Sequence, residues 1–340
     1  MSATLDRVLD ERGRAEQLDA FVVAAAWDRA GAVAAFALGD GGLRLSGRDA
    51  TVAAHDGAVL ALAAHPKSGF VSGGDDGKLA LTGLDGATRT LASHGMRWVE
   101  QVASYADTKA GVIACAVGKR VFVLDAAGEV LKTLEHPSSV TGLAFDAKGK
   151  RLAASHYNGA SLWFVASKTD NPRKLDWKGS HTGIAISPDG DNVVTAMQEN
   201  ALHGWRLSDG QHMRMSGYPA KTASHGFTRS GRWLASAGAE SIVLWPFFGG
   251  GPMGKAPSEV GGGDPEVLCT AVACHPLQET VAAGFSDGTL ILADIASGRI
   301  LPVCGPGRGS VSALAWSLDG AWLAAGTETG FAAVIDFSQR

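Results

Sequence analysis

The amino-acid sequence predicts an all-β protein in which one short antiparallel sheet is repeated along nearly the whole chain. Three observations carry this. First, an apolar stretch ending in a large or apolar residue, then a turn, then another apolar stretch recurs, as in Leu143-Ala144-Phe145-Asp146-Ala147-Lys148-Gly149 and Leu314-Ala315-Trp316-Ser317-Leu318-Asp319-Gly320. The residues that close the first stretch are Trp27, Ala64, Ala106, Phe145, Ile186, Phe227, Cys274 and Trp316, spaced 37, 42, 39, 41, 41, 47 and 42 apart. Second, glycine falls four or five residues later in every copy except one, where Glu279 stands. Third, the runs between turns hold four to six apolar residues bounded by Asp76-Gly77, Asn158-Gly159 or Asp287-Gly288, which is the pattern of strands and hairpins. Four such runs in a unit of about 41 residues match one blade of a β-propeller.

Within a unit the elements follow in order. The first strand runs into the marker. Arg151–Ser155 and Arg232–Ser236 read as second strands, and Lys78–Leu81 and Ser241–Trp245 as third strands. A weaker fourth run, such as Val130–Leu134, leads into a histidine: His136 here, His55 and His94 elsewhere. A lone four-stranded sheet leaves its faces wet, and stacking of successive units buries them. Eight units favour eight blades in a single propeller over residues 21–340; seven blades, with one divergent unit set aside, is the alternative. The last unit stops soon after its third strand, Phe331–Phe337. Residues 1–20 are therefore expected to supply the missing outer strand and close the ring, as a short helix at 3–12 followed by a strand at 14–20.

Composition excludes several classes. No apolar run reaches membrane-spanning length, since even 21–38 is cut by Asp28, Arg29 and Gly31. The N-terminus lacks a basic-then-apolar leader. Four cysteines make no disulfide framework, so a cytoplasmic location is expected. The net charge of −4 and the scattered basic residues, densest at Arg12/Arg14 and Arg173-Lys174, argue against nucleic-acid and membrane partners. The alanine-rich composition suggests a bacterial source.

His136, Ser155, Asn158-Gly159 and Trp163 carry a resemblance to the WD-repeat β-propeller family, and it covers roughly residues 20–340. The resemblance implies a hydrogen-bonded set of His136, Ser155, Asn158 and Trp163 inside one blade, and a rim that binds peptides and protein segments. The sequence departs from the family pattern in places. Third strands end in Trp163-Phe164, Trp205-Arg206 and Trp245-Pro246 rather than Trp-Asp, and Thr82 and Ala293 occupy tryptophan positions.

Four features invite chemistry. Ser155, His136 and Asn158 suggest a hydrolase, but no Gly-x-Ser-x-Gly turn exposes the serine, and the intra-blade set explains it. Gly249–Ala256 resembles a phosphate loop, yet Ala256 replaces the hydroxyl that would hold magnesium and no helix pattern follows. Cys269 and Cys274-His275 lie on one strand, with odd spacing that turns the two thiols to opposite faces. His275-Pro276 repeats His65-Pro66, which favours a turn role. His225 breaks an apolar column and reads as a buried, satisfied histidine. No catalytic residue, metal or cofactor is therefore assigned.

The expected function is a non-catalytic, monomeric scaffold that holds a protein or peptide on the rim around the channel. The residues assigned to that rim are Arg97, Trp98, His156, Tyr157, Gln198, Tyr218, Lys221, Phe285 and Arg308, because aromatic and arginine side chains on one face resemble interface anchors. The alternative is an enzyme or a small-ligand or metal binder that uses Ser104, Tyr105 and His225 at the channel.

Overall fold

The computed structural model describes residues 5–106 and 111–338. Every strand pairing among them is antiparallel, and the architecture is that of a β-propeller. One short helix, Arg7–Arg12, precedes the strands, and no described helix is long and apolar enough to cross a membrane.

The repeat seen in the sequence is a repeat of turn capping. In six units the residue after the marker (Asp28, His65, Asp146, Ser187, His275 or Ser317) is buried and accepts N–H bonds from the turn that it opens, whereas the buried Thr228 hydroxyl has no partner. Asp28 Oδ1 accepts from Ala32 and Val33 at 2.8 Å each, and Asp146 Oδ1 accepts from Lys150 at 2.8 Å. Ser187 and Ser317 use their hydroxyls in the same way, on Asn192 at 2.9 Å and Trp322 at 3.0 Å. His65 Nδ1 accepts from Lys67 and Ser68, and His275 Nδ1 accepts from Leu277 and Gln278. The two His-Pro pairs are thus turn formers. Different side chains solve one problem, the unpaired amides of a tight turn.

The strands fall into seven hydrogen-bonded sheets, six of four strands and one of six, rather than the eight favoured by the repeat count. The difference arises at residues 151–186. Arg151–Phe164 is one unbroken strand run that doubles back at Asn158-Gly159, where both residues take positive φ (67° and 136°). Val165 N–H returns to Lys150 O at 2.9 Å. The following run, Arg173–Ile186, passes from the outer strand of the fourth sequence unit into the inner strand of the fifth without a break. Two sequence units therefore share one sheet, so the propeller counts seven blades by hydrogen bonding, one of them double.

By compactness the chain divides into Met1–Ala25 with Ser187–Arg340, and Ala26–Ile186. In the second unit the core lies between successive sheets. Val71 and Leu79 meet Val99, Ile113, Cys115 and Leu124, and Ala114, Val121, Leu134, Leu152 and Trp163 form the next layer. The first unit repeats this with Val194, Leu202, Met215 and Leu234, and then with Ile242, Leu244, Val281 and Phe285. Second strands carry fully buried alanines such as Ala114, Ala116, Ala153, Ala154, Ala282 and Ala283. Small side chains there let neighbouring sheets approach closely, as native packing density requires.

The N-terminal segment belongs to the first unit. Gly13–Gln17 pairs with Phe331–Asp336, from Gly13 opposite Ile335 to Gln17 opposite Phe331, and so becomes the fourth strand of the last sheet.

Candidate protein-interaction edge

In several sheets the linker that enters a first strand lies against a turn between second and third strands. His94 N–H donates to Gly77 O at 2.9 Å and Val99 N–H to Gly74 O at 3.0 Å, bracketing Arg97 and Trp98. Tyr157 sits on the equivalent turn, with its N–H on Ser138 Oγ at 2.9 Å. Lys221 follows Ala220, whose N–H reaches Gly238 O, and Arg308 follows Gly307, whose N–H reaches Asp287 O. Each of these residues therefore lies on a linker or turn held within its own sheet.

Its members differ in exposure. Trp98 is 54% exposed, Tyr157 58% and the neighbouring Met96 95%. Arg97, Gln198 and Lys221 are exposed as well. Three assignments are corrected, because His156, Tyr218 and Phe285 are buried. The His156 ring folds back onto Tyr157 O and Ser161 Oγ, each at 2.9 Å. Phe285 pairs with Cys269 beside a bulge and packs into the core with Val281 and Ile291. Arg308 is half-buried and committed to Asp6 at 3.1 Å and to the Phe331 ring.

Three polar sets are built into the sheets that carry these positions. In the sheet of residues 142–216, Trp163 Nε1 donates to His136 Nε2 at 3.0 Å. Ser155 and Asn158 do not join them: Ser155 Oγ lies 3.3 Å from Thr141 Oγ1, and Asn158 Oδ1 accepts from Gly179 N–H. The complete histidine–serine–carboxylate arrangement stands instead in the sheet of residues 59–93. His55 Nε2 lies 2.8 Å from Ser72 Oγ, and its Nδ1 3.0 Å from Asp76 Oδ1. Burial raises the Asp76 carboxyl, but hydrogen bonds from His55, Lys78 N–H and Asp56 N–H outweigh it and hold the group below its ordinary range. This order of atoms is that of a hydrolytic triad, yet Ser72 is wholly buried, so no substrate reaches it. His55 and Asp76-Gly77 are visible in the sequence, but Thr82 stands at the tryptophan position here, whereas Trp163 fills it in the other sheet. In the third set tyrosine takes the histidine's place. Trp245 Nε1 donates to Tyr218 Oη at 2.6 Å, and Tyr218 Oη lies 2.6 Å from Ser236 Oγ.

The other candidates for chemistry are occupied structurally. Arg29 donates to Ser104 Oγ at 2.8 Å, and Ser104 donates to Ala64 O at 2.6 Å. Thr270 on Val311 O and Ser312 on Val22 O use the same inner-strand hydroxyl to tie one sheet to the next. Tyr105 packs near Phe145. Lys255 turns onto the Phe248 and Gly249 carbonyls of its own loop, and a strand, Ser258–Val260, follows that loop. Cys269 and Cys274 are free thiols, each pushed up to about 12 by burial. No group of three or more His, Cys, Asp or Glu among the described residues could hold a metal ion. His225 differs from its expected reading, for its Nε2 is buried without a hydrogen-bond partner.

Stability is expected to depend on pH through buried histidines, His136 and His225 above all. Burial pushes His225 down to about 4; burial, and then the neighbouring His156, does the same to His136. The unfolded chain, with histidines near 6.5, binds more protons than the folded one between those values. The stabilisation is complete above about pH 6.5 and is lost as pH falls toward 4, by up to roughly 1.4 kcal/mol per pH unit for each histidine. Thermal melts from pH 7.5 to 4.5 should show this fall, and His225→Leu should make it shallower. A pH profile unchanged by that substitution would contradict the assignment of His225.

The model of the WD domain, G-beta repeat, matches residues 47–81, 128–163 and 300–336, including the His55–Asp76 and His136–Trp163 segments. Three segments of the chain thus match WD repeats, and its fold is that of a β-propeller. Over 208 residues the chain is 26% identical to Telomerase protein component 1 of Mus musculus, covering 60% of this chain but 8% of that protein. Over 109 residues it is 29% identical to WD repeat-containing protein slp1 of Schizosaccharomyces pombe, covering 30% of this chain and 22% of that one. The crystal structure of the computationally designed protein Ika8 matches its fold with a TM-score of 0.72 at 20% identity, over 94% of this chain and 98% of that one. Both natural relatives are eukaryotic, so they lend the bacterial reading no support. The alanines that suggested it have a packing explanation.

Proposed function

We propose that this WD-repeat protein is a non-catalytic scaffold that holds a protein or peptide segment at the edge carrying Arg97, Trp98 and Tyr157. Propellers of this family typically act as protein-interaction scaffolds. The observation that carries the reading is the exposure of Trp98 (54%) and Tyr157 (58%) on linker and turn positions that are fixed by backbone bonds. Large, rigid aromatics held in place lose little entropy on binding, which suits them as anchors. The exposed Gln198 stands where the repeat before it has His156, the exposed Lys221 stands on a later linker, and the free thiols suit a reducing, cytoplasmic compartment.

The test compares affinity capture by wild type and by Trp98→Ala/Tyr157→Ala, with melting temperature as the folding control. A partner retained by wild type should be weakened by more than about tenfold in the double variant, as for two hot-spot residues. Equal retention of every captured protein would refute the site.

A further inference from the structure

In the unit containing residues 187–340, a groove of about 300 Å³ is walled by Phe285, Ile291, Ile300 and Val267. Glu240, Asp264 and Asp287 stand along its edges. A second groove, of about 330 Å³, adjoins it through Glu240 and residues 261–263 and adds Glu259. No lysine or arginine lines either one. The chain that separates the two is glycine for a steric reason. Gly261 takes a φ of +69°, which favours glycine, and a Cβ on Gly262 would lie 2.6 Å from the Glu240 backbone oxygen. Gly263, by contrast, faces open space, with nothing within 4 Å of the Cβ position.

We propose that the paired grooves bind an extended protein segment in which aliphatic side chains alternate with lysine or arginine. The apolar walls take the aliphatic anchors, because burying Ile300, which is 39% exposed, and the half-buried Val267 removes apolar surface from water. The carboxylates pair with the basic residues and set the charge of the partner. The two grooves lie side by side across the chain at 261–263, which favours an extended segment over a compact ligand. Uncompensated negative charge disfavours anionic lipid and nucleic acid, which carry the same sign.

Fluorescence anisotropy on the full chain decides it with three labelled heptapeptides: arginine alternating with leucine, glutamate with leucine, and arginine with serine. The arginine–leucine peptide should bind at least about tenfold more tightly than either control, a difference of roughly 1.4 kcal/mol. Its affinity should fall by a similar factor in the double variant Glu240→Gln/Asp264→Asn. The amide introduced by Asp264→Asn keeps an oxygen where Asp264 Oδ1 accepts from Glu266 N–H, so the local turn is preserved. Gly263→Leu should block the groove to the same degree with an unchanged melting temperature. Trp98→Ala should bind as wild type does, which separates this site from the edge proposed above. Equal binding of the arginine–serine or glutamate–leucine peptide, no binding at all, or unchanged affinity in the groove variants would overturn the proposal.

Discussion

Removal of residues 1–20 is expected to lower the melting temperature by about 10 °C or more, or to leave the protein insoluble. The segment is fastened by three kinds of contact. Gly13–Gln17 forms a five-residue ladder with Phe331–Asp336, and Leu18 N–H continues it to Gly330 O at 2.8 Å. Leu9 on the helix is 7% exposed and packs with Leu290, Val303, Leu323 and Ile335. Asp6 accepts from Gly305 N–H at 2.8 Å and pairs with Arg308 at 3.1 Å. Each ladder bond contributes about 1 kcal/mol net, and each buried leucine roughly 2 kcal/mol. Deletion also exposes Phe331–Asp336 as an unpaired edge, a template for aggregation. Deleting residues 1–10 keeps the ladder but loses Leu9 and Asp6, so its fall should be smaller. Differential scanning calorimetry of the two truncations provides the measurement. A chain starting at Phe21 that melts like the full-length protein would show that the last sheet is completed in some other way.

Tyr218→Phe should cost about 2–3 kcal/mol and lower the melting temperature by roughly 5 °C. The hydroxyl it removes accepts from Trp245 Nε1 and faces Ser236 Oγ, both at 2.6 Å, and Ser236 Oγ reaches Val243 O at 3.3 Å. Trp245 is nearly wholly buried, so its indole N–H, left unpaired, cannot turn to water, and the wholly buried Ser236 keeps only its bond to Val243 O. Burial pushes the Tyr218 hydroxyl up to about 12, so it stays a protonated donor even in alkaline solution. Tyr157→Phe, on an exposed ring, is the control and should leave the melting temperature unchanged. Equal melts for wild type and Tyr218→Phe would show that the relay carries no stability.

The readability of these features from sequence follows a physical divide. The repeat was legible because turn capping and strand alternation are local. Asp28, Asp146, Ser187, His65 and His275 each act on amides within a few residues, so their period survives in a linear text. The histidine–tryptophan bond of residues 136 and 163 followed from a recognisable pattern. The exchange of histidine for tyrosine at 218 did not, because a tyrosine before a strand looks like surface until its hydroxyl is placed against Trp245. Phe285 and His156 were misplaced for a related reason. Their position in the repeat puts the backbone at the edge, but the direction of each side chain is set by a neighbouring strand: Cys269 opposite Phe285, and Ser161 beside His156.

The sequence by itself determined the all-β repeat, its period, the family pattern and the helix-then-strand character of the N-terminal segment, since each rests on contacts short in sequence or on periodic burial. Tertiary structure alone decided the number of hydrogen-bonded sheets, because a missing break inside Arg173–Ile186 is a matter of where the chain bends, not of which residues it contains. It also decided which polar residues form sets, where the acidic groove opens, and which aromatics reach the surface. Those depend on residues distant in sequence that packing brings within a few ångströms.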